Sequence, residues 1–205
     1  MTKYDKIVEV LRLPLSRGFG FVLAALILFS SSRWTDRQPL VGAVILFLGC
    51  LLAGGAFLGR MWCSLYIAGY KNDRLVTTGP YSLCRNPLYF FSMLGGMGVG
   101  MATETLTIPL CTAAAFGLYY PHVIKSEEGR LRELHGAAYE EYLRSVPVFF
   151  PRFSGLREPD DYVVAPKIFR NHLFDAVWFV WLLGLFQVLV ALHVAGVLPT
   201  WITLF

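Results

Sequence analysis

The sequence predicts an all-α, polytopic integral membrane protein with about five transmembrane helices and a cytosolic amphipathic helix. Hydrophobic residues make up 56% of its 205 residues, charged residues only 16%, and the mean hydropathy is +0.54. A soluble domain carries about 25% charged residues. Several uncharged apolar runs here approach the ~20 residues that a helix needs to cross a bilayer. We therefore expect a single membrane domain over residues 1–205.

The expected spans are the five longest apolar runs of the chain, at 18–31, 39–58, 88–103, 106–124 and 173–192. Gly, Pro and charged residues mark the breaks between them. The break between the third and fourth runs is short, which predicts a tight hairpin of two spans.

The basic residues predict the orientation. Cytoplasmic loops of membrane proteins carry an excess of Lys and Arg. With the N-terminus inside, 16 of the 18 Lys and Arg residues fall in the inner segments 1–17, 59–87 and 125–172, and only Arg33 and Arg37 fall outside. The N-terminus and the two segments with candidate chemistry are therefore expected in the cytosol.

The N-terminal segment lacks a clean secretory signal, so the first apolar run is expected to remain as an anchor. Residues 8–15 could form a short interfacial helix, with Lys3, Lys6 and Arg12 near lipid headgroups.

The C-terminal part follows a polar stretch, 154–172, that is predicted to be a cytosolic linker. The extra membrane segment 173–205 contains no Lys or Arg. It fits one span with an interfacial tail that contains Trp201, or a re-entrant hairpin broken near Gly196 and Pro199, and the single span is the preferred interpretation.

The cysteines show neither a CxxC pair nor metal-ligand spacing. They are Cys50, Cys63, Cys84 and Cys111. We expect free thiols and no metal site.

The first candidate site is the stretch TTGPYSLCRNPLYFF, residues 77–91. Its Gly-Pro pair predicts a turn, and Pro87 suits the first turn of a helix. Tyr81, Arg85 and Tyr89 are four residues apart and would share one face of a continuous helix. They could be an aromatic-belt anchor with a snorkelling arginine, or they could hold a ligand.

The second candidate site is an acidic pair, Glu127 and Glu128, just beyond the fourth apolar run. Apolar residues then recur at helical spacing, which predicts an amphipathic helix that continues from that run or lies under it. Glu140 and Glu141 fit its solvated face. Carboxylates at membrane depth usually mark a partner or a ligand, and Arg85 is the expected neighbour.

Two weaker signals complete the set. Gly96, Gly98 and Gly100 fit close helix packing, which is the commoner use, or a close backbone approach to a ligand. Of the histidines, only His122, one turn before Glu127, is placed to meet a substrate.

These residues form one ordered pattern across residues 70–153. Its members are Leu75-Val76-Thr77-Thr78-Gly79-Pro80-Tyr81, Arg85-Asn86-Pro87-Leu88-Tyr89, Glu127-Glu128, Leu131, Gly136, Tyr139, Tyr142, Val146-Pro147 and Pro151-Arg152-Phe153. The pattern resembles the isoprenylcysteine carboxyl methyltransferase and phospholipid methyltransferase superfamily of integral-membrane enzymes. The resemblance implies a cofactor-binding core over 70–153.

In that superfamily the cofactor is S-adenosylmethionine. By position, the residues implied to hold it are Asp73, Leu75, Val76, Tyr81, Arg85, Asn86, Pro87, Leu88, Tyr89, Gly98, Gly100, Glu127 and Glu128. The chemistry is suitable: tyrosine faces stabilise a sulfonium cation, a Glu accepts hydrogen bonds from ribose hydroxyls or the ammonium, and Arg85 could fork onto the carboxylate.

Two departures from the superfamily pattern bear on the methyl acceptor. Asn86 stands where the superfamily usually has His, and the stretch 122–125 lacks the Arg that binds a prenylcysteine carboxylate. Lys125 could substitute for that Arg without its bidentate geometry. A prenylcysteine-type carboxylate, a lipid amine or a thiol therefore all stay open, with His122 or Glu128 as a candidate base.

The expected function is S-adenosylmethionine-dependent methyl transfer to a lipophilic or lipidated substrate that enters from the bilayer, with Arg85, Glu128 and His122 as catalytic candidates and His122 and Lys125 as substrate-binding candidates. The expected partners are that substrate and membrane lipids, without nucleic acid. Two alternatives remain: a nicotinamide-dependent membrane reductase of the sterol-reductase type, and a non-catalytic membrane scaffold.

Overall fold

The structure is a computed structural model that describes residues 18, 20–70 and 74–205. The interfacial helix expected at 8–15, with its three basic residues, lies outside the described residues, and so does Asp73.

Most of the described chain is helical. The helices are α1 (Gly20–Phe29), α2 (Arg33–Arg37), α3 (Pro39–Ile67), α4 (Pro80–Leu83), α5 (Pro87–Met101), α6 (Thr107–Ser145) and α7 (Pro166–Val194), and a single 3-10 turn covers Phe153–Gly155. Four of these helices begin with proline, whose fixed φ and missing N–H suit the first helical position.

Two helices, α3 and α7, are long and apolar enough to cross a membrane, judged by length and composition. Each has 29 residues, and their mean hydropathies over the most apolar window are 2.4 and 2.1. At 1.5 Å per residue each is about 43 Å long, more than the ~30 Å hydrocarbon core requires. With 15 residues, α5 is shorter than a usual span. Two described helices are long and apolar enough to cross a membrane, and the expected five crossings remain a prediction.

Two short strands depart from the all-α prediction. β1 (Ser30–Ser32) pairs in parallel with β2 (Ile202–Leu204). The carbonyl oxygen of Phe205 also accepts hydrogen bonds from the backbone N–H groups of Leu106 and Thr107, at 2.6 and 2.8 Å. The end of α1, the α5–α6 turn and the chain terminus therefore meet at one end of the helix bundle, which we call the strand end.

The opposite end of the bundle, which we call the Arg85 end, carries the end of α3, α4, the start of α5 and the start of α7. α7 is a single helix that begins at Pro166, seven residues before the expected span. After α7 the chain turns at Gly196, where φ is 69°, and continues into β2. The last residues of the tail thus form a short strand beside β1, and the single span for 173–205 stays a prediction.

The glycines of α5 serve helix packing. A Cβ on Gly98 would lie 2.6 Å from the backbone nitrogen of Ala53 in α3, and one on Gly100 would lie 3.1 Å from the backbone nitrogen of Pro109 in α6. Gly98 is also twelve residues, or about 18 Å, along α5 from Asn86. The expectation that Gly98 and Gly100 line the cofactor is therefore corrected: helix backbones occupy the space beside them.

The helix predicted after the fourth apolar run is the second half of α6, continuous with that run. Of its expected apolar positions, Tyr142 is buried and Leu134 is exposed. Its regular path is broken at Gly136, where φ is 52° and ψ is −125°. Only glycine adopts this conformation readily. The break redirects the last turns of α6, so that Tyr139 and Tyr142 become buried.

Candidate functional site

The candidate site is centred on an ion pair between Arg85 and Glu128. Nη2 and Nε of Arg85 lie 2.8 and 3.0 Å from the same carboxylate oxygen, Oε1 of Glu128. The two side chains are only 9% and 20% exposed. The structure therefore brings together the loop before α5 and the acidic pair of α6, which are 43 residues apart.

Arg85 reaches Glu128 because the chain is extended between α4 and α5. Cys84 has φ −154° and ψ 159°, and Asn86 is also non-helical, with φ −125° and ψ 51°. The proline that follows Asn86 disfavours a helical conformation at that residue. Tyr81, Arg85 and Tyr89 therefore do not share the face of one continuous helix, which corrects the conditional expectation from their spacing.

The third nitrogen of Arg85 binds the end of α6. Its Nη1 donates to the carbonyl oxygens of Leu143 and Val146, both at 2.9 Å. Each guanidinium nitrogen is thus engaged within the protein. This arrangement corrects two interpretations: the side chain does not snorkel outward as an anchor, and its fork is occupied by protein atoms, so it does not offer that fork to a cofactor carboxylate. Arg85 therefore holds the Glu128 carboxylate and the end of α6 against the loop before α5.

The two carboxylates of the acidic pair have different surroundings. Glu127 accepts a hydrogen bond from the hydroxyl of Tyr89 at 2.7 Å and lies 3.5 Å from Arg130. Glu128 is held through Oε1 alone, and among described residues no hydrogen bond reaches its Oε2. One oriented carboxylate oxygen is therefore open to a further donor.

Three tyrosines lie around this pair. Tyr142 donates its hydroxyl proton to the carbonyl oxygen of Tyr81 at 2.7 Å. Tyr139 is 1% exposed, and burial, followed by the neighbouring carboxylate of Glu128, raises the pKa of Tyr139 to about 12. Burial raises the pKa of Tyr81 and of Tyr142 in the same direction. All three phenols are therefore neutral at physiological pH.

The loop before α4 is fixed by apolar packing. Leu75 packs against the buried cluster of Tyr139, Tyr142 and Val146. Its side chain is thus occupied by the fold, and its backbone remains the part that the resemblance assigned to the cofactor. Val76, next to it, is half-buried.

The remaining predicted residues of the loop point in different directions. Nδ2 of Asn86 donates to the carbonyl oxygen of Val148 at 3.0 Å. Pro87 is fully buried at the first position of α5. Leu88 lines a cavity between α3, α5 and α7, so it is not brought to the Arg85–Glu128 pair.

The structure does not bring His122 or Lys125 to the pair either. Both side chains are exposed, and Nδ1 of His122 lies 3.1 Å from the carbonyl oxygen of Leu118 on its own helix. At 100° per residue, His122 is about 160° around α6 from buried Ile124. This placement corrects the expectation that His122 is a base or substrate ligand beside Glu128. The role of Lys125 in place of the missing arginine stays a prediction.

Sequence reasoning included Pro151-Arg152-Phe153 in the pattern but did not predict the contacts of residues 152–157 with residues 79–83. The backbone N–H of Gly79 donates to the carbonyl oxygen of Arg157 at 2.7 Å, and the backbone N–H of Arg157 donates to Oγ of Ser82 at 2.9 Å. The backbone N–H of Arg152 donates to the carbonyl oxygen of Leu83 at 3.0 Å. Each of these contacts involves a backbone N–H group and joins residues about 70–80 positions apart, so the side-chain pattern carries little signal for them.

Comparisons with known proteins give a consistent result. The family model described as phospholipid methyltransferase matches residues 38–138. The cobalt-zinc-cadmium resistance protein CzcN of Cupriavidus metallidurans is 44% identical over 184 residues, which cover 90% of this chain and 83% of the relative. The nickel-cobalt-cadmium resistance protein NccN of Alcaligenes xylosoxydans xylosoxydans is 42% identical over 186 residues, 89% of this chain and 84% of the relative. No solved structure gives a significant match.

Proposed function

This chain belongs to the phospholipid methyltransferase family of membrane proteins, and from that premise we propose that it transfers a methyl group from S-adenosylmethionine to a lipophilic acceptor taken from the bilayer. The observation that carries the proposal is the Arg85–Glu128 ion pair at 2.8 Å. It joins the two halves of the superfamily pattern and leaves one oriented carboxylate oxygen available.

The residues around the pair fit the cofactor. Its ribose hydroxyls and its ammonium are hydrogen-bond donors, and Oε2 of Glu128 is an acceptor without another described partner. Its sulfonium cation suits the faces of neutral tyrosines, each of which contributes ~0.5–2 kcal/mol. Glu128 and the backbone of residues 75–76 are the proposed ligands, with Tyr81 and Tyr89 packed beside them.

S-adenosylmethionine, when bound, supplies an electrophilic methyl group. The work of the protein is to fix geometry and to exclude water, because an in-line displacement depends on alignment. Arg85 does this indirectly: by holding Oε1 of Glu128, it restricts the carboxylate to one orientation. The buried tyrosine side chains exclude water from one side of the site, and their phenols stay neutral at neutral pH.

The placement of the charged residues bears on the acceptor. An acceptor carboxylate would need a cation in the site, but Arg85 is engaged by protein groups and Lys125 is exposed on the side of α6. An amine or a thiol instead must lose a proton, and Glu127 and Glu128 are carboxylates that face this region. We therefore favour a lipid amine or a thiol over a prenylcysteine-type carboxylate.

The direct test uses the purified protein in lipid nanodiscs, incubated with membrane lipid extract and S-adenosylmethionine that carries a deuterated methyl group. Mass spectrometry is expected to find a lipid heavier by one labelled methyl group with the wild type and not with Glu128→Gln. Labelling that is equal in the two proteins, or absent from both, would refute the proposal. A thermal shift with a nicotinamide cofactor and none with S-adenosylmethionine would favour the reductase instead.

The names of the two relatives suggest a physiological setting, resistance to divalent metals. The described residues contain no group of three or more His, Cys, Asp or Glu that could hold a metal ion. We propose that any contribution of this chain to metal resistance depends on methyl transfer and not on metal binding. In a strain that lacks the gene, the wild type should restore growth with cadmium and Glu128→Gln should not; full rescue by Glu128→Gln would contradict this proposal.

A further inference from the structure

A separate cavity of about 340 Å³ lies at the Arg85 end of the bundle, between α3, α5 and α7. Ligand sites in proteins typically begin at about 300 Å³. α6 contributes no lining residue, so the cavity is distinct from the region of Glu127 and Glu128.

The cavity is lined by an arginine that forms no ion pair among the described residues. Nη1 of Arg60 donates to the hydroxyl of Ser92, but its Nε is buried without a hydrogen bond. In the described part of the chain, no carboxylate forms an ion pair with Arg60. Arg60 is partly buried, and its guanidinium lies 5.8 Å from the ring centroid of Phe179. An arginine at membrane depth without an ion-pair partner usually marks a ligand.

A second residue that lines the cavity, His172, also has a buried polar atom without a hydrogen-bond partner among the described residues. Nδ1 of His172, on α7, is buried and has no hydrogen-bond partner among the described residues. Buried polar atoms are paired in more than 90% of cases. Arg60 on α3 and His172 on α7 both line this cavity, so its lining includes ionisable side chains from two helices whose polar atoms the described protein groups do not fully pair.

The position of the cavity fits a molecule at the membrane boundary. Arg60 lies seven residues, or about 10 Å, from the end of α3, and His172 lies six residues, or about 9 Å, from the start of α7. A helix of about 43 Å extends beyond a ~30 Å hydrocarbon core by about 7 Å at each end. The two residues are therefore at the depth where acyl chains meet headgroups.

A third ionisable residue, Asp175, narrows the class of ligand that the cavity could bind. Asp175 lines the same cavity and is exposed. Its carboxylate disfavours a bare anion and favours a ligand with hydrogen-bond donors next to its anionic group. A phosphate ester with free hydroxyl groups satisfies Arg60 and Asp175 together.

We propose that this cavity is a second ligand site, in which Arg60 binds a phosphate ester that carries hydroxyl groups, supplied by a lipid headgroup or by a soluble molecule. The site lies outside the region assigned to methyl transfer, and its occupancy does not depend on that activity. Phosphatidylglycerol and glycerol 3-phosphate present the same polar group from the two sources.

The test is a binding titration of the full chain in neutral detergent, with short-chain phosphatidylglycerol and with glycerol 3-phosphate. Arg60→Gln should weaken binding about tenfold or more, the effect of losing a charge-assisted hydrogen bond. Ser64→Leu should weaken it as well, because Ser64 is buried and lines the cavity, so added atoms must fill it while Arg60 stays. Arg170→Gln is the matched control: it removes an exposed charge of α7 at the same end and should leave the affinity unchanged.

Binding of the lipid alone would assign a headgroup site, and binding of both probes a site for the soluble ester. Equal affinities in the wild type, Arg60→Gln and Ser64→Leu would overturn the proposal, as would an equal loss in Arg170→Gln, which indicates general surface attraction. Absence of binding by the wild type to either probe would overturn it too.

Discussion

At the scale of single residues, Arg85 shows how a charge is accommodated near apolar surroundings. Its three nitrogens bind one carboxylate oxygen and two carbonyl oxygens. Glu128 lies in the middle of α6, and Leu143 and Val146 lie at its end, so one side chain fixes the loop before α5 against both parts of that helix. A buried ion pair contributes little net stability against an apolar alternative, but losing one partner leaves the other uncompensated.

We therefore predict that Arg85→Gln lowers the free energy of unfolding by about 3 kcal/mol. The matched control is Arg132→Gln, which breaks the exposed Arg132–Glu140 pair of the same helix and should change stability by less than about 1 kcal/mol. Denaturant titration in mixed micelles measures both. Equal effects of the two substitutions would show that the Arg85 pair is no more than a surface contact.

The pH dependence of stability follows from Tyr139. Its pKa is raised from 10.0 to about 12 by burial first and by Glu128 second, so the folded state favours the neutral phenol. This contribution to stability is complete below pH 10 and is lost as the pH rises toward about 12. Tyr139→Phe should leave stability near pH 7 almost unchanged and make its decline above pH 10 less steep. An unaltered alkaline decline would exclude this role for Tyr139.

At this scale, sequence reasoning predicted the contact between Arg85 and Glu128, because that contact follows from the need of charged side chains for partners. An arginine and two glutamates at membrane depth need partners, and this requirement predicted the proximity of Arg85 and Glu128. It did not work for His122, since spacing along the chain does not give the angle around a helix relative to its packed face. It also missed Ser82 and Arg157, because their contacts involve backbone atoms.

At the scale of elements, proline and apolar runs predicted where α3 and α5 begin, but α3 ends nine residues beyond its expected span and α7 begins seven residues before its own. The second half of α6 was expected from apolar spacing, but the break at Gly136 was not. The two strands were not predictable, because three residues with a partner about 170 positions away leave no periodic pattern.

The break at Gly136 gives a prediction for α6. Gly136→Ala forces a residue with a Cβ into φ 52° and ψ −125°, which costs about 1–3 kcal/mol. Gly129→Ala is the control in the same helix: it has nothing within 4 Å of the added Cβ and should stabilise by about 0.5–1 kcal/mol, as Ala is the better helix former. Thermal unfolding in detergent compares them, and a stabilising Gly136→Ala would mean that α6 is regular in solution.

At the scale of the whole molecule, the ends of the elements indicate how the chain runs. The strand end gathers Ser30–Ser32, the α5–α6 turn and Phe205, and the Arg85 end gathers α4 and the start of α7. This arrangement is the one expected if the chain crosses the membrane an odd number of times. The excess of basic residues at the Arg85 end favours the cytosol for that end.

Topology reporters test this prediction. A reporter inserted after residue 160 should be active in the cytosol, and one fused after Phe205 should be active on the opposite side. Both reporters active on the same side would contradict the proposed orientation and the odd number of crossings.

The account depends most on the assignment of Glu128 as the cofactor ligand, and calorimetric titration of the purified protein with S-adenosylmethionine tests it most directly. Glu128→Gln should weaken binding about tenfold or more while the protein stays folded. Glu140→Gln, which alters an ion-paired but exposed carboxylate of the same helix, should bind as the wild type does. Wild-type affinity in folded Glu128→Gln would contradict the account.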